Sequence, residues 1–280
     1  MTGRTTRKAP RAPRARLDAE LVRRGLARSR EQAAELIAAG RVTVNGEAAA
    51  KAATQVTRDT PILVGADDGD PGYVSRGGHK LAGALAAFGD LTVAGRTALD
   101  AGASTGGFTD VLLRAGAAQV VAVDVGYGQL AWSLQTDPRV TVRDRVNVRA
   151  LQPEQATTAD GRRPDLVVAD LSFISLALVL PALVASAAAD ADFVLMVKPQ
   201  FEVGKGRVGA GGVVRDAGLR AEAVSAVAQT AAGLGLGVLG VTASPLPGPA
   251  GNVEYFVWLR RGGPPLDDED LRQAIAEGPH

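Results

Sequence analysis

The chain has 280 residues, 46% of them hydrophobic, and a formal net charge of +1 at pH 7, enough for one large domain and a small one with separate cores. Its cysteine count is zero and its only histidines are His79 and His280, which excludes disulfides, a thiol nucleophile and cysteine ligation and argues against a histidine metal site. The near-zero charge hides an uneven distribution: residues 1–16 hold Arg4, Arg7, Lys8, Arg11, Arg14 and Arg16 without a single acid.

Residues 1–15 therefore read as a basic disordered arm, either a solubilising tail or a contact to nucleic acid. No apolar stretch follows its basic residues, so a signal peptide is not expected and the cytoplasm is the default location.

Residues 16–65 read as a compact unit. Leu17, Leu21, Val22 and Leu26 recur at helical spacing, with Gly25 loosening the end of that helix. Ser29 followed by Gln32 has the capping-box pattern and opens a second helix through Ala33, Leu36 and Ile37 that stops at Gly40. Val42 and Val44 then run into Asn45-Gly46, the signal for a type I′ hairpin turn. A helix pair followed by a small sheet is expected. Its exposed face would carry Arg16, Arg23, Arg24, Arg28, Arg30 and Arg41, guanidinium groups suited to bidentate phosphate contacts. The run RLDAELVRRGLARSREQAAELIAAGRVTVNG resembles an S4 RNA-binding domain. That resemblance implies RNA as a partner.

ADDGDPG, within an expected linker 66–74, is polar and turn-rich. In YVSRGGHKLAGAL, Ser75 to His79 read as a glycine-containing turn, with Leu81, Leu85 and Phe88 in a following helix. From Thr97 onward strand and helix alternate, which predicts an α/β, doubly wound Rossmann-like sheet. RTALD ends a strand at Asp100, AGASTGG is a loop, FTDVLLRAG a helix, and QVVAVDVG a strand ending near Asp124. Ligands of such sheets sit beyond the carboxyl ends of the strands, and the Asp100-to-Asp124 spacing suits an acid that receives ribose hydroxyls. A dinucleotide fingerprint would need glycine at its second position, where this loop has Ser104 between Gly102 and Gly107. An adenosine ligand without phosphates, S-adenosylmethionine, fits better.

DAGASTGGF is similar to motif I of FtsJ-related class I methyltransferases. The resemblance implies that Gly102, Ala103, Ser104, Thr105, Gly106, Gly107 and Phe108 hold the methionine part of that cofactor, with Asp100, Asp124 and Val125 beside it. It also places Asp144 and Asn147, after a third strand in VTVRDRVNVR, where adenine is recognised. The fourth strand, DLVVADLSF, brings Asp170 to the same edge.

Leu171 to Ala189 form an uncharged, mostly apolar run close to the length of a membrane span. Pro181, three serines and bounding aspartates favour a helix buried in an α/β core instead.

The fifth strand, FVLMV, ends in Lys198, one of only five lysines among 31 basic residues. Adjacent parallel strands carry their terminal side chains into one crevice, so Asp170 and Lys198 are expected to meet as a reactive pair or as a buried ion pair. Glu254 stands before YFVWL near the edge of the last strand, and Lys80 lies early in the helix after SRGG. Each alone would read as a solvated charge.

Together Lys80, Asp170, Lys198 and Glu254 resemble the Lys-Asp-Lys-Glu tetrad of ribose 2′-O-methyltransferases. SRGGHKL, VVADLSFIS, MVKPQFEVG and NVEYF look like the TlyA family in particular, which joins an S4 domain to an FtsJ-like domain over residues 75–262 here, before a tail at 263–280. The resemblance implies a cytoplasmic enzyme that uses S-adenosylmethionine to methylate the cytidine 2′-hydroxyl of 16S and/or 23S rRNA in ribosomal subunits. No metal and no stable membrane insertion are expected, and Arg76 is counted among the RNA contacts. A ribose hydroxyl must lose its proton as it attacks, and arginine cannot take it; lysine can when desolvation or a nearby cation assists. Lys198 is thus expected to be the base, or the group that lowers the charge cost at the 2′-oxygen, with Asp170 its orienter and Lys80 and Glu254 positioning the hydroxyl. A non-catalytic RNA-binding assembly factor and a pore-forming hemolysin are the rival expectations.

Overall fold

The computed structural model describes residues 14–27, 29–65 and 71–279, with Lys205 as backbone alone. The chain divides into two compact units between Gly72 and Tyr73.

The first unit runs β1 (Arg14–Arg16), α1 (Leu17–Arg23), α2 (Arg30–Ala38), β2 (Val42–Val44), β3 (Glu47–Ala48), β4 (Gln55–Thr57) and β5 (Ile62–Val64). Leu17, Leu21, Ala33, Leu36, Ile37, Val42, Val56 and Ile62 form its core. Ser29 Oγ accepts from Gln32 N at 3.1 Å and caps α2. Asn45 at φ 53° and Gly46 at φ 85° make the tight turn joining β2 to β3. Three expectations are corrected. α1 ends at Arg23, before Leu26, because Gly25 turns to φ 71° and Leu26 N bonds back to Leu21 O; Leu26 is 37% exposed. The strands form two small sheets, β1–β4 and β3–β2–β5, rather than one. Arg14 and Ala15, assigned to the arm, pair with Thr57 and Val56 as part of β1. The remainder of the arm, Arg28 and most of the linker lie outside the described residues.

The second unit runs α3 (Arg76–Ala87), β6 (Thr97–Ala101), α4 (Gly107–Arg114), β7 (Gln119–Val123), α5 (Trp132–Gln135), β8 (Val140–Arg143), α6 (Pro153–Ala156), β9 (Leu166–Ala169), α7 (Leu176–Ser186), β10 (Asp192–Val197), α8 (Pro199–Glu202), α9 (Ala217–Gly233), β11 (Leu236–Ala243), β12 (Tyr255–Arg261) and α10 (Asp268–Ala276). Its seven-stranded sheet has the order β11-β12-β10-β9-β6-β7-β8. The five strands from β10 to β8 are parallel, whereas β12 is antiparallel to both β10 and β11. Leu99, Ala101, Val121, Val123, Val167 and Ala169 share one apolar layer with α7, α9 and α10. Ala98, Val120, Ala122, Val168 and Val194 share the other with α3 and α4. Strand order reverses at β6, flanked by β7 and β9, so a ligand crevice opens beyond the ends of β6 and β9.

Three further expectations change here, and the buried helix expected of the apolar run is found. Ser75 to His79 are not a free turn: Arg76 to His79 are the first turn of α3, where Gly78 packs close against Tyr73. Tyr73 and Val74, assigned to the linker, pack on the core of this unit. The segment after Arg261 is not merely a tail, because α10 buries Leu271 and Ala274 in the main core. The apolar run is an 11-residue helix, α7, with Leu176, Val179, Leu180 and Leu183 buried. At 1.5 Å per residue it falls well short of the roughly 30 Å of a bilayer core. Among the described residues no helix is long and apolar enough to cross a membrane.

Candidate active site

The loop after β6 turns sharply through Gly102 at φ 87°, Ser104 at φ 48° and Gly106 at φ 99°. At Gly102 a Cβ would lie 2.6 Å from the Asp170 carbonyl oxygen, so the backbones leaving β6 and β9 can approach only because that side chain is missing. Gly107 plays the matching part between helices: a Cβ there would press on Gly78 N of α3 at 2.8 Å. Phe108 turns inward, its ring 6.0 Å from that of Phe256, and anchors the loop rather than lining it.

A cavity of about 510 Å³ opens beside this loop, within the usual size range of small-molecule sites. Gly102, Ser104, Asp124, Val125, Asn147 and Asp170, all expected to hold the cofactor, line it. Ala103, Thr105 and Asp144 are not in its wall. Asp144 instead accepts from Gly128 N at 2.9 Å and ties down the loop after β7. Asn147 accepts from Arg149 N at 3.0 Å and caps the turn 148–150. Among the wall residues that sequence reasoning missed are Gln129, Val148, Ile174 and Val179. The apolar three carry no sequence mark that separates a cavity wall from a core.

Three carboxylates surround this space. Asp124 accepts from Ser104 N at 2.8 Å and from Gly126 N at 2.6 Å, which fixes its position at the rim. Asp100 is fully buried beneath the loop; Oδ2 accepts from Thr109 Oγ1 at 2.6 Å, while Oδ1 has no partner among the described residues. Burial pushes the Asp100 carboxyl up to about 7 against the Thr109 bond, and the neighbouring charges of Asp170 and Asp124 push the same way. Asp124 at the rim and the partly open Asp170 give the cavity wall an acidic character that fits a cationic, adenosine-bearing ligand. A pyrophosphate would be repelled.

Beside the cavity the four tetrad residues form two ion pairs. Lys198 Nζ stands 2.5 Å from Asp170 Oδ1 and donates to Ser172 Oγ at 3.0 Å; its approach to Asp170 is a charge contact outside hydrogen-bonding angles. Lys80 Nζ donates to Glu254 Oε2 at 2.5 Å. Lys80 and Glu254 are buried and so are not the solvated charges that each alone suggests; Lys198 is buried as well, in keeping with its place at the end of an apolar strand. Topology explains the meeting. β9 and β10 are parallel and deliver residues at their carboxyl ends, while antiparallel β12 delivers the residue before its start to the same edge. The paired register ends at Val197–Tyr255, directly before Lys198 on one strand and directly after Glu254 on the other.

Phe173, three residues past Asp170, was not singled out by sequence. It is 92% exposed at the cavity mouth, holds φ 65°, a conformation costly for a bulky side chain, and lies 5.3 Å from the Phe201 ring.

The first unit places its arginines differently from the expectation of a freely presented basic face. Asp18 accepts from Arg16 and Arg30, and Glu20 accepts from Arg23 and Arg24. Arg16 holds the Asp18 carboxyl well below the usual carboxylate range, and Arg23 followed by Arg24 hold Glu20 down to about 2. Arg24 also donates to the carbonyls of Thr57, Arg58 and Thr60, and Arg41 to that of Gly65. Arg24 is thereby a structural clamp, while Arg16, Arg23 and Arg30 keep about half of their side-chain surface open. Arg76 is exposed at the start of α3.

The FtsJ-like methyltransferase model matches residues 73–261 and the S4 domain model residues 15–62. The chain is 63% identical over 274 residues, 96% of its length and 100% of the relative's, to the 16S/23S rRNA (cytidine-2′-O)-methyltransferase TlyA of Mycobacterium tuberculosis. It is 36% identical to Hemolysin A of Brachyspira hyodysenteriae, over 86% of this chain and 98% of that one. Among solved structures, a protein from Streptococcus thermophilus described as a hemolysin superposes with a TM-score of 0.75 at 38% identity, covering 95% of each chain.

Proposed function

The chain belongs to the FtsJ-like methyltransferase family, in the S4-bearing TlyA group, and we propose that it methylates the 2′-hydroxyl of cytidine in 16S and/or 23S rRNA. The observation that carries this reading is the pair of buried Lys–carboxylate contacts at the edge of the cavity. S-adenosylmethionine, when bound, supplies an electrophilic methyl group. Gly102, Ser104, Asp124, Val125 and Asn147 are in place to hold it, with Asp100 beneath.

The chain's own task is to orient a ribose hydroxyl and manage its proton. Lys198, buried and held by Asp170 and Ser172, takes that proton or offsets the charge growing on the oxygen. Asp170 fixes the ammonium, and the part of its side chain left open faces the cavity. Lys80 and Glu254, held to each other, help to position the hydroxyl. Phe173 offers an exposed ring on which an unstacked base can lie. Arg16, Arg23, Arg30 and Arg76 are the proposed phosphate contacts among the described residues. We place the reaction in the cytoplasm, on rRNA within ribosomal subunits.

The test is to treat unmodified subunits with pure protein and S-adenosylmethionine and to map alkali-resistant linkages in the rRNA. A 2′-O-methyl group blocks cleavage at its own nucleotide, so one or two new cytidine sites are expected, on the order of one per RNA. No such linkage on either subunit or on free RNA would sink the reading and favour a non-catalytic assembly factor.

A further inference from the structure

Among the described residues the two ion pairs share no hydrogen bond with each other, yet a methyl transfer site needs a defined distance between them. The segment that leaves Lys198, residues 199–214, is bonded at both ends to the loops that carry the other members. At its start Glu202 accepts from Ser175 Oγ at 2.5 Å and from Leu176 N at 2.9 Å, five and six residues beyond Asp170. The rings of Phe201 and Phe173, 5.3 Å apart and tilted by 48°, lie beside this joint. At its other end Asn252, 2% exposed, accepts from Val214 N at 2.9 Å and donates to Gly212 O at 2.8 Å. Glu254 stands two residues further along, and a Cβ at Gly248 would come within 2.6 Å of its Oε1, so that loop has little room to shift.

We propose that Glu202 and Asn252 are positioning residues for the reaction, stapling the segment after Lys198 to the Asp170 loop and to the Glu254 loop and so setting the spacing of the two ion pairs. Neither lines the cavity, and neither touches a tetrad side chain in the hydrogen bonds they make. Burial pushes the Glu202 carboxyl above its ordinary range, against the bonds from Ser175 and Leu176, as for a carboxylate kept in place for its contacts. The inference rests on the methyl-transfer reading above.

The test uses the full chain on ribosomal subunits, with kcat expressed per S-adenosylmethionine-binding site counted by calorimetry, so that unfolded protein does not enter the rate. Glu202→Ala and Asn252→Ala should each lower that kcat by about 10–100-fold, while cofactor Kd and the KM for subunits change by less than about threefold. Glu202→Gln should restore most of the rate, because its amide oxygen still accepts from Leu176 N and its NH₂ can donate to Ser175 Oγ. If Glu202→Ala does not fold, Ser175→Ala removes part of the same joint and should lower per-site kcat by at least about threefold. Unchanged per-site kcat in the folded variants, or Glu202→Gln falling as far as Glu202→Ala, would overturn the proposal. Wild-type protein that transfers no methyl group is a separate result, which refutes the methyl-transfer reading and this inference with it.

Discussion

The two units use the pairing of a cation with a carboxylate to opposite ends. In the first unit the acid is buried and the cation is exposed: Asp18 and Glu20 are almost inaccessible, while the Arg16, Arg23 and Arg30 side chains stay 47%, 48% and 60% open. At the candidate site of the second unit the cation is buried: the Lys80 and Lys198 side chains are 8% and 10% open. An arginine held from behind keeps its charge and presents a fixed fork to phosphate. A lysine enclosed with a carboxylate is withdrawn from water, where its proton can take part in chemistry. Residue type and burial together, rather than charge alone, distinguish the proposed phosphate contacts from the proposed catalytic residues.

The comparison breaks most readily at Asp170. Asp170→Asn keeps the shape and removes the charge that holds Lys198, and kcat at saturating cofactor should fall by about 10²–10⁴-fold; rates near wild type would reduce the pair to a structural contact. Next in size, Phe173→Ala should lower kcat/KM for subunits by about 10–100-fold, which steady-state kinetics would show. On the small unit, Arg23→Gln should raise KM without changing kcat and reduce the salt slope of rRNA affinity by roughly 0.7–0.9, as for one lost phosphate contact. A fall in kcat at constant KM would contradict the division between the two units.

The smallest expected effect concerns stability. Asp100 has a folded pKa of about 7 against 3.8 for the free side chain. The folded protein therefore holds a proton that the unfolded chain has released. Stability from this group is full below the unfolded value, declines as pH rises towards the folded value and is flat above it. Asp100→Asn removes that decline, so its melting temperature should gain on wild type between pH 4 and pH 7 in paired thermal scans. Parallel wild-type and variant curves would contradict the burial account.

Much of this arrangement is legible before any coordinates. A strand that runs into Asp100, Asp170 or Lys198 marks the carboxyl edge of a parallel sheet, and glycines at 102 and 107 mark the close approach there. Lys80 and Glu254 are legible only as members of a set, because a single charge early in a helix or before a strand reads as solvated. Their burial depends on the α3–α4 packing and on β12 running antiparallel, neither of which leaves a local signature. α10 hides for a similar reason: Leu271 and Ala274 are too few to separate a docked helix from an acidic tail. The arginine clamps hide because Asp18 and Glu20 look like ordinary acids in the first turn of α1. Glu202 and Asn252 join segments distant in sequence, 27 and 38 residues apart from the partners they bond, beyond the reach of periodicity.

The central claim, that the buried Lys198 handles the proton of the ribose hydroxyl, is tested most directly by Lys198→Arg in a single-turnover transfer assay on ribosomal subunits, with cofactor-bound sites counted by calorimetry. The account predicts normal cofactor binding and a rate lower by about 10²–10⁴-fold, because arginine preserves the positive charge beside Asp170 but cannot accept the proton. A per-site rate within about threefold of wild type would contradict it.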